Sequence, residues 1–90
     1  MKHNLLIIED DKIMRVTLTD YLRSKGHEVV ACPLGKDGIT VFRKEEFSLV
    51  ISDVMLPDLN GLDILQNIKE KDPNAVVLII TAYGTIKDAV

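Results

Sequence analysis

Two hydrophobic periods alternate along the chain. Asn4 to Ile8 ("NLLII") is a short continuous apolar run, the pattern of a strand buried on both faces. Met14, Leu18, Tyr21 and Leu22 then recur at helical spacing, and Gly26 stands where a helix C-terminal glycine belongs. His27 to Cys32 ("HEVVAC") reads as a second strand, and Ile39 and Phe42 mark one face of a second helix. Ser48 to Asp53 ("SLVISD") is a third strand. Leu62, Leu65 and Ile68 space out a third helix that "KDPN" ends. Ala75 to Thr81 ("AVVLIIT") is a fourth strand, the most apolar of all, and "IKDAV" begins a fourth helix. Strands alternating with helices predict an α/β fold, a parallel sheet covered by helices on both faces. Ligands of such sheets bind at the carboxyl ends of the strands, near the point where strand order reverses.

Ninety residues bound the picture to a single domain, residues 1–90, with a modest core. Hydrophobic residues make up 47% and charged residues 28%, which excludes a disordered chain. The net charge of −3 disfavours direct nucleic-acid binding. No apolar run is long enough to cross a bilayer and none resembles a secretory signal, so a cytoplasmic location is expected. The lone Cys32 excludes an internal disulfide and reads as a small apolar strand residue. Lys69 and Lys71 suit the negative end of a helix.

Acidic residues change the picture most. The first strand runs directly into Glu9, Asp10 and Asp11, and the third closes on Asp53. If those strands are neighbours, Asp10 and Asp53 gather at one rim with Thr81 from the end of the fourth. Carboxylates sharing a pocket stay ionised only with a compensating cation. Oxygen donors without histidine or thiolate suit magnesium or calcium. Helix capping is the competing explanation and is preferred for Asp11 and Asp37. It does not explain Asp10 and Asp53 together. Asp58, and Asn60 before Gly61, read as turn residues. No G-x-x-x-x-G-K-[ST] or G-x-G-x-x-G is present, and no serine triad is supported. His3 and His27 fall at strand starts, on the rim opposite the acids, as ordinary surface histidines.

"LLIIEDDKIMR", "LVISDVMLPDLNGLDIL" and "VVLIITAYGTIKDAV" together resemble the receiver domain of two-component response regulators over the whole chain. The last segment is also similar to receivers of nitrogen-regulation-type transcription activators. The resemblance implies a flavodoxin-like doubly wound sheet with strand order 2-1-3-4-5. It implies that Asp53 is the phosphoacceptor, taking a phosphoryl group from a histidine of a sensor kinase, with Mg2+ as cofactor. Asp10, the carboxylate of Asp53 and the backbone carbonyl of Met55 would hold the metal, with Glu9 helping through water. Thr81 would be the switch hydroxyl and Ala82 would offer its backbone N–H, while Met55 and Tyr83 would tune phosphoryl lifetime. Pro57 and Gly61 match the family's loop. The intact protein would carry an output domain, a DNA-binding one regulating transcription, and the receiver would be a signalling phosphoacceptor rather than an enzyme.

The family pattern also has a fifth strand, ending in a lysine that contacts the phosphoryl group, and a fifth helix. The chain reads as truncated before both, inside the fourth helix at Val90, and Lys87 does not replace that lysine. The fourth strand is then expected to be an exposed edge through which the chain forms homo-oligomers. Two functions follow: a magnesium-dependent phosphoacceptor module, or a receiver-derived interaction fragment that binds metal but cannot switch. An aspartate-nucleophile phosphatase ranks below both, because that class wants a second acid where Met55 stands.

Overall fold

The computed structural model of the chain describes residues 2–80. Seven elements follow in the expected alternation: β1 (Asn4–Ile8), α1 (Lys12–Ser24), β2 (Glu28–Cys32), α2 (Gly35–Lys44), β3 (Leu49–Asp53), α3 (Gly61–Lys71) and β4 (Val77–Ile80). The described strands form one parallel sheet in the order β2-β1-β3-β4. Strand order therefore reverses between β1 and β3. Ile8 is level with Ser52, so the next residues along, Glu9 and Asp53, face one another at the carboxyl rim.

Alternation along each strand sends side chains to two separate cores. Leu6, Ile8, Cys32 and Val50 pack with Phe42 of α2 and with Ile64 and Ile68 of α3. Leu5, Ile7 and Val29 pack on the other face with Leu18 and Leu22 of α1. Helices thus cover both faces, the doubly wound arrangement expected from the sequence. The start of the fourth helix read in "IKDAV" lies outside the described residues.

Burial decides which helical positions face inward. Each fully buried aliphatic side chain is worth about 2 kcal/mol, and in α3 the row Gly61, Ile64, Ile68 takes the core. Leu62 belongs to the row Leu62, Leu65, Ile68 read from the sequence, but it is 69% exposed. Tyr21 also leaves the core face of α1, at 59% exposed, with the Lys25 ammonium 5.4 Å over its ring. The helix ends as expected at Gly26, whose φ of 91° suits glycine. Gly26 N–H donates to Arg23 O and His27 N–H to Leu22 O, which satisfies the last carbonyls.

β4 departs furthest from the sequence reading. Among the described residues it spans Val77–Ile80, starting two residues later than the expected Ala75, and it is not buried on both faces: Leu78 is 51% exposed, and Val76 just before the strand 59%. Leu78 is level with Ile51 and so lies on the α1 side, where α1 covers β1 and β2 but does not reach β4. On the side facing α3, Val77 packs half-buried on that core. No described helix is long and apolar enough to cross a membrane.

Candidate functional site

The carboxyl rim of β1 and β3 assembles the acids. Glu9, Asp10 and Asp53 each place a carboxylate oxygen within 4.8 Å of the others. Glu9 is fully buried, Asp53 is 5% exposed and Asp10 is open to solvent. Both carboxylate oxygens of Glu9 are buried without a hydrogen-bond partner. A buried, unpartnered carboxylate is expensive. Burial pushes the Glu9 carboxyl up to about 8, helped by the neighbouring carboxylates of Asp53 and Asp10. In the metal-free chain Glu9 therefore holds a proton near neutral pH.

Backbone and side-chain contacts fix this rim. Arg15 Nη1 donates to Glu9 O at 3.0 Å and Asp10 O at 3.2 Å, pinning the acidic turn to α1. Asp11 caps α1 as expected, its Oδ1 accepting from Ile13 N–H. Across the rim, Asp53 Oδ1 accepts from Met55 N–H at 3.2 Å, so the loop after β3 folds back over the acceptor. Gly61 N–H donates to Val54 O, closing that loop. A Cβ on Gly61 would stand 3.0 Å from Val54 Cα and 3.2 Å from Asp53 O, which reserves the position for glycine.

Several assignments from the sequence are corrected here. Asp37 does not cap α2; it lies in the first turn, and the cap residue Leu34 supplies no side-chain hydrogen bond. Asp58 is more than a turn residue: its Oδ1 and Oδ2 accept from the backbone N–H groups of Gly35 and Lys36, both at 2.9 Å. Asn60 is the N-cap of α3 and forms a reciprocal capping box with Asp63. Lys71 does more than complement its own helix; its ammonium donates to Phe42 O at the last turn of α2. Lys69 donates to Ala75 O just beyond its own helix end. His3 and His27 sit at the amino rim, as expected, with His3 N–H donating to His27 Nδ1. Thr81, Ala82, Tyr83 and Lys87 lie outside the described residues.

The sequence reading missed Arg15 and the trans role of Asp58. Neither carries a local signal, since each acts on backbone groups of another element. The Asn60-x-x-Asp63 spacing was a legible capping pattern.

Whether these residues fit a divalent cation follows from their chemistry. Three hard oxygen donors converge, one of them buried and unpartnered, and a cation would replace the proton that Glu9 otherwise holds. Magnesium fits such a set, because it takes one or two carboxylates and keeps its remaining waters.

A doubly wound α/β sheet with acids gathered at its switch point defines the class of protein. The chain belongs to the response regulator receiver domain family, whose model matches residues 5–90. It is 41% identical over 90 residues to the response regulator protein FleR of Pseudomonas aeruginosa, covering all of this chain and 19% of that protein. It is 36% identical over 87 residues to the transcriptional regulatory protein GlrR of Escherichia coli, covering 97% of this chain and 20% of that one. The chain thus spans about a fifth of the length of these two relatives. Among solved structures, a receiver domain protein of Clostridium thermocellum superposes with a TM-score of 0.84 at 30% identity, over 96% of this chain and 70% of that one. The response regulator protein TrrA of Thermotoga maritima, solved in complex with Mg2+ and BeF, gives 0.85 at 27% identity, over 100% of this chain and 77% of that one.

Proposed function

We propose that the chain is the phosphoacceptor module of a two-component response regulator, with Asp53 as the group that is phosphorylated. The observation that carries this reading is the unpartnered burial of Glu9 against Asp53 and Asp10 at the switch point. Asp10, Asp53 and the carbonyl of Met55 hold Mg2+ in this reading, and Glu9 acts through a water. When bound, magnesium supplies charge neutralisation for the entering phosphoryl group.

An oxygen of the Asp53 carboxylate attacks phosphorus of a phosphohistidine in a sensor kinase. A P–O bond forms as the P–N bond breaks, and the leaving imidazole takes up a proton. The Met55 N–H on Asp53 Oδ1 holds the carboxylate's orientation for this attack. The new group adds roughly two negative charges, to which the hydroxyl of Thr81 and the N–H of Ala82 respond. The chain's own chemistry is acceptance of the group, not turnover of a substrate. In the intact protein this switches an output domain that acts in transcription, a reading supported by the name of the transcriptional regulatory protein GlrR. A cytoplasmic location goes with that role.

A second copy along the outer edge of β4 remains part of the reading. It is supported by the half-exposed Val76 and Leu78 at the edge of the described sheet.

Native mass spectrometry with magnesium and a small acyl phosphodonor tests both points. A phosphoryl-sized gain on the wild type and none on Asp53→Asn is expected, with dimers in the same spectrum. No gain on a folded wild type would favour the metal-binding fragment that cannot switch.

A further inference from the structure

α2 is held at both ends by side chains from the segment that follows the acceptor strand. At its start, the Asp58 carboxylate takes the N–H groups of Gly35 and Lys36, one on each oxygen. At its last turn, Lys71 of α3 donates to Phe42 O. Each charge matches the end of the helix dipole it meets. The two clamps differ in what lies behind them. Lys71 sits on a regular helix, far along the chain from the acids. Asp58 sits at the tip of the loop that carries Met55 and leads directly out of Asp53.

Apart from the half-buried Leu56 and Leu59, which pack on the core, that loop is held mainly by backbone contacts within the sheet layer and itself. At its start Val54 N–H donates to Ile80 O of β4, and its other described backbone contacts are internal or to its own helix: Leu56 N–H to Leu59 O, Met55 paired with Asn60, and Gly61 N–H to Val54 O. Asp58 supplies its polar tie to another layer of the fold. The tie is tight, because Gly35 lies so close beneath the loop that a Cβ there would be 2.9 Å from Ile64 Cδ1 and 3.1 Å from Leu59 Cβ. Partial burial pushes the Asp58 carboxyl up. The amides of Lys36 and Gly35, its own amide and the Lys36 charge outweigh this and hold it below the usual range. The carboxylate is therefore ionised and gripped across the neutral range.

We propose that Asp58 is a positioning residue for the acidic site: by fastening the β3–α3 loop to the start of α2 it sets where the Met55 carbonyl and the Met55 N–H on Asp53 stand. It does for the loop what an outer hydrogen-bond partner does for a ligand. Removing such a partner costs on the order of tenfold in metal affinity. The inference rests on the proposed metal-holding role of the rim and names a determinant of it outside the acids.

The test is a calorimetric magnesium titration of the 90-residue chain and of Asp58→Ala, Asp58→Asn and Lys71→Ala, with thermal melting of each and Asp10→Asn as reference. Asp58→Ala is expected to bind magnesium about tenfold more weakly, and Asp58→Asn, which keeps one acceptor oxygen, to recover part of the loss. Phosphorylation of Asp58→Ala by the acyl phosphodonor should need more magnesium to reach half its maximal rate, with that maximal rate little changed. Lys71→Ala should melt earlier and bind magnesium like the wild type. If Asp58→Ala melts earlier but binds magnesium like the wild type, Asp58 is only a helix cap and the proposal is overturned. If the wild type itself binds no more magnesium than Asp10→Asn, the metal-holding reading fails and takes this inference with it. Should Asp58→Ala not fold, Asp58→Asn decides alone, by a shift in affinity or its absence.

Discussion

The two rims of the sheet are built on opposite terms. At the amino rim, charges and imidazoles are exposed and paired. Lys2 meets Glu28 at 3.0 Å, His27 Nδ1 accepts from His3 N–H, and His3 Nδ1 lies 3.3 Å from Ser48 Oγ. At the carboxyl rim, Glu9 and Asp53 are buried beside a third acid and Glu9 has no partner. One rim is satisfied by the chain itself and contributes little. The other is left incomplete at a cost in stability, and in the proposed reading that incompleteness is what admits a cation and a phosphoryl group. Local rules of burial and pairing are kept at the first rim and broken at the second, and a broken rule of this kind marks a functional site.

Removing the broken rule should give the largest change. Glu9→Gln keeps the shape of the side chain and abolishes its charge, so the metal-free chain is expected to gain about 1–3 kcal/mol at pH 8. Magnesium should then raise the melting temperature less than it does in the wild type. Denaturant melts with and without magnesium measure both. A variant less stable than the wild type at pH 8 would mean that Glu9 already has a partner that offsets its burial.

The same asymmetry should appear as a pH dependence in the unaltered chain. The folded-state value of Glu9 is raised to about 8 from an ordinary 4.5, so between those values the folded chain binds the extra proton. Stability contributed by that proton is fully present below about pH 4.5 and is lost as pH climbs to about 8. The metal-free chain should therefore weaken across this window, and saturating magnesium should flatten the decline by taking the proton's place. Urea midpoints at half-unit pH steps resolve the slope, and a flat metal-free profile would contradict the assignment.

These effects are partly legible in the sequence. The acidic turn and Asp53 stood out because carboxylates directly after apolar strands are expensive, and the alternating periods gave the sheet that brings them together. Strand order came from the family resemblance, since periodicity alone does not say that β3, with Asp53 at its end, lies beside β1. Leu62 and Tyr21 were misread because helical spacing identifies candidate faces but not which of two overlapping rows is covered. The exposure of Leu78 was not legible in its hydrophobicity, which describes the residue and not what lies over it. Asp58 and Arg15 were invisible in the same sense: each satisfies backbone groups of another element, and no spacing in the sequence records such a contact.

The amino rim supplies the smallest effect and the control for the comparison. Lys2→Met removes the pair with Glu28, in which the two side chains are 62% and 65% exposed. Exposed pairs of this kind contribute about 0–1 kcal/mol and are screened by salt. Double-mutant melts with Glu28→Gln should give a coupling of less than about 0.5 kcal/mol in low salt, vanishing in about 0.5 M salt. A coupling that survives high salt would make the amino rim a structural anchor in its own right. The contrast between a rim that holds the fold lightly and a rim that strains it for a ligand would then need another explanation.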